Sequence, residues 1–149
     1  MLLTKTNQRR VKLGATPRRF TSRLGVAATE FAIIAPVFFT MVFGIIEFGR
    51  ALMVQQVLIN ASRVGARQAS TTGATASDVT TAVQEYTAAV AVPSVSVAVT
   101  PNPATATAGT TITVTTSVGF NSVSWLPAPW FLGGRTLTAT SKMRKEGFQ

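Results

Sequence analysis

Between Leu24 and Met53 the chain runs almost without polar interruption, with Glu30 near the start of the block and Glu47 near its end. The uncharged centre, Phe31 to Ile46, is about 24 Å of helix, short of the roughly 30 Å of a bilayer's hydrocarbon. The whole block from Leu24 to Met53 is about 45 Å, which spans easily but carries Glu30 to or into the hydrocarbon. Glu47 is expected at the far interface, paired with Arg50 one turn on along the same helical face. Glu30 has no such answer, because its basic neighbours precede it at Arg23 and before. An intramembrane carboxylate costs about 2.5–3.5 kcal/mol on the insertion scale, so a functional role with a specific partner is the default reading.

Past the block the helical pattern continues. From Val54 to Ala69 there is no proline and one glycine, and Ala61, Gly65 and Ala69 recur every four residues as a seam of small residues. Such a seam permits close backbone approach. The protein's own sheet is its favoured occupant, ahead of a helix from another subunit. Arg63 and Arg67 form an adjacent stripe, either solvated or ion-paired with a partner. The run Ser70-Thr71-Thr72-Gly73 breaks the helix. A second helix is predicted over Val79–Ala91, capped by Ser77 or Asp78, with Val79, Ala82, Val83, Tyr86 and Val90 on its apolar face and Pro93 ending it.

The remainder alternates as strands do: Val95–Val99, Ile112–Val118 and Leu137–Met143. Thr100 to Gly109 reads as a loop, and Trp125 to Gly134 as a long aromatic loop before the last strand. The expected fold class is α+β, a long N-terminal transmembrane helix continuing into a small domain with a second short helix and a three- or four-stranded antiparallel sheet. An immunoglobulin-like sandwich would need about seven strands. The expected organisation is a leader over 1–25, a long helix over 26–69 with its membrane part about 26–50, and a small domain over 70–149. Trp125, Trp130 and Phe131 either fill the thin core, the favoured reading, or dock a partner or lie on the membrane.

Charge sharpens the topology. The chain has 149 residues and a net charge of +9, yet Lys5, Arg9, Arg10, Lys12, Arg18, Arg19 and Arg23 all precede residue 26 and no acid does. A basic tail of this kind is compatible with phosphate binding. The membrane segment directly behind it argues against nucleic acid and for cytoplasmic retention by the positive-inside rule. A secretory signal peptide is the plainer alternative for residues 1–49, but its apolar region would be too long, and Glu47-Phe48-Gly49-Arg50 offers no small-x-small cleavage site.

Cysteine and histidine are absent, so thiol and histidine nucleophile systems, thiolate or imidazole metal sites and disulfides are unavailable. The five acids Glu30, Glu47, Asp78, Glu85 and Glu146 are scattered, and no phosphate-binding loop is present. Neither an enzyme, a cofactor, a metal nor a small-molecule substrate is expected.

Gly25-Val26-Ala27-Ala28-Thr29-Glu30-Phe31 resembles the processing site of type IV pilin-like proteins, a basic leader ending in glycine with a glutamate and an aromatic residue opening the helix. The residues that follow, with Pro36, Gly44, Glu47-Phe48-Gly49-Arg50 and Asn60 through Arg67, are similar to the TadE-like pseudopilins of tight-adherence pilus systems. Met143-Arg144-Lys145-Glu146 resembles the end of the same family. The resemblance implies a prepilin peptidase cutting after Gly25, so that the new Val26 amine, on its own or a neighbouring subunit, neutralises Glu30. It also implies a bacterial inner-membrane location, with the leader cytoplasmic and the C-terminal domain outside. The implied partners are membrane lipid, the peptidase, other pilin-like subunits and the assembly platform. Val26 stands where many type IV pilins carry phenylalanine. The alternative is an uncut single-pass anchor displaying a small β-rich binding domain.

Overall fold

The computed structural model describes residues 21–147, with side chains described from Gly25 onward. The basic residues Lys5 to Arg19 of the expected leader lie outside the described residues. Helix α1 spans Thr21–Ser70, α2 spans Ala76–Ala89, and the strands are β1 (Ser96–Thr100), β2 (Thr111–Gly119) and β3 (Thr136–Arg144). A single 3-10 turn, Phe120–Ser122, follows β2. The fold class is the expected α+β, with three strands among the described residues. The chain divides into two compact units, Met1–Phe38 and Phe39–Gln149.

In the first unit the apolar side chains of α1 are exposed. Val26, Phe31, Ile33, Ile34, Val37 and Phe38 are all exposed. A helix buried in a soluble core would hide these groups, and a contiguous apolar surface of this kind belongs against lipid or a partner. The helix from Gly25 is long and apolar enough to cross a membrane. Pro36 lies inside α1, where it lacks the amide hydrogen for the carbonyl four residues back.

In the second unit α1 becomes the spine of a folded body. The sheet is an antiparallel meander of order β1-β2-β3, open at both edges. Its inward face is set by period-2 alternation: Ile112, Val114, Thr116 and Val118 of β2 are buried, and each intervening residue from Thr111 to Gly119 is exposed or half-buried. The register places Val97 beside Thr116 and Val99 beside Val114 on one side. On the other it places Ala139 beside Thr116 and Ser141 beside Val114. These side chains meet Val54, Leu58, Ala61, Ala66 and Ala69 of α1 and Val79 and Val83 of α2 in two buried clusters. Leu58, Ile112 and Phe120 are the largest fully buried hydrophobic residues, so the core is built mostly of valine and alanine.

A core of small residues demands close backbone approach. A Cβ placed on Gly65 would lie 2.7 Å from Val83 Cγ2 and 3.0 Å from Val114 Cγ1. The small-residue seam thus receives this chain's own α2 and β2. Polar residues inside the interface are paired: the hydroxyls of Ser62 and Ser141 are 2.7 Å apart, and Thr116 Oγ1 donates to Leu58 O at 3.1 Å.

Both ends of α2 and the C-terminal end of α1 are closed by identifiable groups. Thr75, rather than Ser77 or Asp78, is the N-cap of α2. Its hydroxyl accepts from the Asp78 amide, and the Asp78 carboxylate accepts from the Thr75 amide at 2.9 Å, a reciprocal capping box. Those bonds from Thr75, the backbone one first, hold the Asp78 carboxyl below its ordinary value. At the other end Val92 N donates to Thr87 O and Ala91 N to Ala88 O, with Ala91 at φ 54°. That is a Schellman ending built on alanine where glycine is usual. Val90, expected on the apolar face, is exposed because the helix has already ended; Thr87 is buried in its place. The end of α1 is met by the C-terminal residues. Glu146 N donates to Ser70 O and Lys145 Nζ to Thr71 O, each at 2.8 Å, placing a cation at the negative end of the helix dipole.

Gly65→Ala is expected to destabilise the fold by about 1 kcal/mol, because overpacking of about 1–3 kcal/mol outweighs a helix-propensity gain of about 1 kcal/mol. Denaturant unfolding of the full chain in detergent measures this. Val83→Ala in the same chain removes the nearest methyl, so the double variant is expected to lose less than the sum of the two singles. Simple additivity would show that the two sites do not touch.

Candidate functional site

The residues Gly25, Val26, Glu30 and Phe31 lie within the first turns of α1, and all four are exposed. Thr29 Oγ1 donates to Gly25 O at 2.9 Å, one turn back along the helix. Glu30 is followed at the three- and four-residue spacings by Ile33 and Ile34, so α1 itself places no cation C-terminal to it.

Glu47 and Arg50 are placed differently from the expectation. They do not answer one another; each instead holds a different part of the connection between β2 and β3. Glu47 is 1% exposed. Its carboxylate accepts from the backbone N–H of Trp130 at 2.6 Å through Oε1, and from those of Phe131 and Leu132 at 3.0 Å each through Oε2. Three successive amides converging on one carboxylate make a backbone cradle for an anion, and the anion is a side chain of the same chain. Bonds of this kind are about twice as strong as neutral ones.

Arg50, 7% exposed, donates from Nε to Val123 O at 2.7 Å. Its guanidinium lies 4.9 Å from the centre of the Trp125 ring, within the range of a cation–π contact. The spacing of three puts both charges on one face of α1, as expected. What sequence reading missed is that this face is covered by residues 73 to 85 positions further on. The signal available was negative: the aromatic loop contains no charged residue from Ser124 to Gly134 to meet them, and backbone amides leave no trace in a side-chain pattern.

The other motif residues divide between packing and exposure. Gly44 faces the Phe131 ring, where a Cβ would lie 3.4 Å from Cε2. Ala61 and Gly65 line the seam, while Arg63 and Arg67 are exposed. No described atom lies within 4 Å of a Cβ on Gly49, so no contact here explains that glycine.

Trp125, Trp130 and Phe131 do not fill the core. They are 65%, 67% and 46% exposed, and that expectation is corrected. The core gap is closed by Phe120 and Val123, both buried, with Leu132 and Leu137 packed beside them. The loop cannot turn its aromatics inward while Glu47 holds three of its amides against α1.

Comparison with known proteins finds a match over the same segment. Residues 25–67 match the model of a family described as TadE-like protein, the family that the sequence resembles. The match begins at Gly25 and covers Glu30, Glu47, Arg50 and Gly65. No curated protein and no solved structure matches the chain significantly.

Glu47→Gln is expected to release the loop. An amide offers one acceptor oxygen and puts an NH2 against backbone donors, leaving at least one buried N–H unsatisfied. Hydrogen exchange at the amides of residues 130–132, read on the full chain in detergent, is expected to accelerate by on the order of tenfold or more, with β2 and β3 amides changing less. Unchanged protection at 130–132 would show that the carboxylate does not hold the loop.

Proposed function

We propose that the TadE-like segment at residues 25–67 makes this chain a membrane-anchored structural subunit of a tight-adherence pilus system. It is processed by a prepilin peptidase and has no catalytic activity of its own. The observation that carries the reading is the family match that opens at Gly25, with Glu30 five residues beyond it on a helix long and apolar enough to cross a membrane.

Hydrolysis of the Gly25–Val26 amide consumes one water, leaving a carboxylate on Gly25 and an amine on Val26. The new ammonium is the partner that Glu30 lacks along its own helix. In a low-dielectric setting an unpaired carboxylate is costly, whereas a charge-assisted hydrogen bond to an ammonium is strong. Val26 and Glu30 are four residues apart, about 6 Å of helical rise. An amine on the same chain and one on a neighbouring subunit both meet the requirement. Cleavage therefore couples processing to assembly, since only a cut chain neutralises the charge.

The rest of the molecule is consistent with a role in assembly. The basic leader is retained on the cytoplasmic face by the positive-inside rule, and the small domain over 70–149 stands outside the inner membrane. Other pilin-like subunits and the assembly platform are the partners of the bare helix. The motive force comes from other proteins, because the sequence has no nucleotide-binding motif. A signal peptide ending near residue 49 fits poorly, because its removal would take Glu47 away from the loop it holds.

Mass spectrometry of the chain purified from membranes is expected to give a terminus at Val26. An intact Met1 would sink the processing step and favour the uncut surface-anchored reading. Glu30→Ala is expected to leave the Val26 terminus in place while reducing incorporation into sheared pilus fractions. Incorporation equal to the unaltered chain would remove any assembly role for the carboxylate.

A further inference from the structure

The loop Ser124–Gly134 is held firmly by its backbone yet displays its largest side chains. Leu126 N donates to Ser124 Oγ at 3.1 Å, and the amides of Trp130, Phe131 and Leu132 go to Glu47. Pro127 and Pro129 have no N–H. From Leu126 through Leu132, every N–H except that of Ala128 is therefore either absent or bonded within the chain, and the segment carries no charge.

A loop of this kind is poorly suited to water and well suited to a bilayer boundary, where backbone polar groups have to be satisfied internally. Its position agrees. The Trp130 ring meets Phe43 edge-on with centroids 6.0 Å apart, and Phe131 covers Gly44. Both helix residues belong to the last turn of the uncharged run that ends at Ile46. Trp125 lies beside Arg50 instead. Phe43 and Arg50 are seven residues apart, about 10 Å along α1.

We infer that this loop is a lipid-facing collar, which seats Trp130 and Phe131 at the acyl boundary of the outer leaflet and Trp125 nearer the headgroups. Tryptophan suits that boundary because its ring is apolar and its N–H is polar. The collar fixes how far α1 can slide through the membrane and so the height at which α2 and the sheet stand. The membrane lipid that receives it is the same solvent as that of the adjoining helix, so no separate partner is required. Glu47 has a defined part in this arrangement, because it turns the loop's amides inward and leaves the rings outward.

The inference rests on the membrane reading above, and tryptophan fluorescence in vesicles separates the two. The full chain is reconstituted in phosphatidylcholine vesicles as Trp125→Phe and Trp130→Phe, each leaving one tryptophan. Bromine is carried either high or deep on the lipid acyl chains. Trp130 is expected to emit at shorter wavelength than free tryptophan and to lose emission with the high bromine more than with the deep one. Trp125 is expected to lose less in both. If the chain floats with the vesicles but neither tryptophan is quenched, the anchor stands and the collar is refuted, whether the emission is that of water-exposed rings or of rings covered by another protein. If the chain does not float with the vesicles, the membrane reading falls and the collar falls with it.

Discussion

A buried carboxylate organises the second unit. Glu47 is buried on α1, and its charge is compensated there by three consecutive amides that are brought to it. Those amides come from a loop that has to leave β2, cross to α1 and return to β3. The interaction therefore fixes the path of the connection, not one contact alone. Arg50 fixes the loop's beginning by the bond to Val123, as Glu47 fixes its end. The two opposite charges, one helical turn apart, do different tasks on one strap.

The same helix then serves two environments. Before Glu47 its surface is mostly apolar and exposed, and beyond Arg50 its inward residues, Leu58 apart, are mainly alanine, glycine, serine and valine, so that a sheet can lie close against it. Close approach removes the room that large core residues would fill. The sheet compensates with alternating valine, isoleucine and threonine on β2 and with hydroxyl pairs such as Ser62 with Ser141. The buried C-terminal end of α1 is met by Lys145 and Glu146, so residues just beyond β3 close the first element.

Much of this was legible in the sequence because it follows local periods. The strands fall within a residue or so of the alternating runs, and the break after Ser70 coincides with the Ser/Thr/Gly cluster. The seam at Ala61, Gly65 and Ala69 received the chain's own elements, as its spacing and small size favoured. Three features were not legible, each for a physical reason. The cap of α2 lies one residue before the alanine that opens it, and only the reciprocal geometry of Thr75 with Asp78 singles it out. The partners of Glu47 are backbone groups some eighty residues away, and every non-proline residue has such groups. The aromatic loop was favoured for the core on hydrophobicity alone, whereas its orientation is set by where its amides are tied. The Glu30 motif was legible as a pattern, but a pattern at a bare helix surface carries no geometry that identifies a partner.

On the proposed reading, the two glutamates of α1 differ in that one is structural and the other is left for assembly. Glu47 is neutralised within the chain by donors that exist as soon as the loop folds, so nothing outside the molecule needs to recognise it. Glu30 is followed along its helix by Ile33 and Ile34, so α1 places no cation three or four residues beyond it. Its compensation, on the proposed reading, has to be created chemically by a cut four residues upstream or supplied by another copy. A charge satisfied at folding stabilises one state and cannot report on anything later. A charge left open until a peptide bond is cut distinguishes precursor from mature subunit, and in a membrane that distinction is enforced by the dielectric itself.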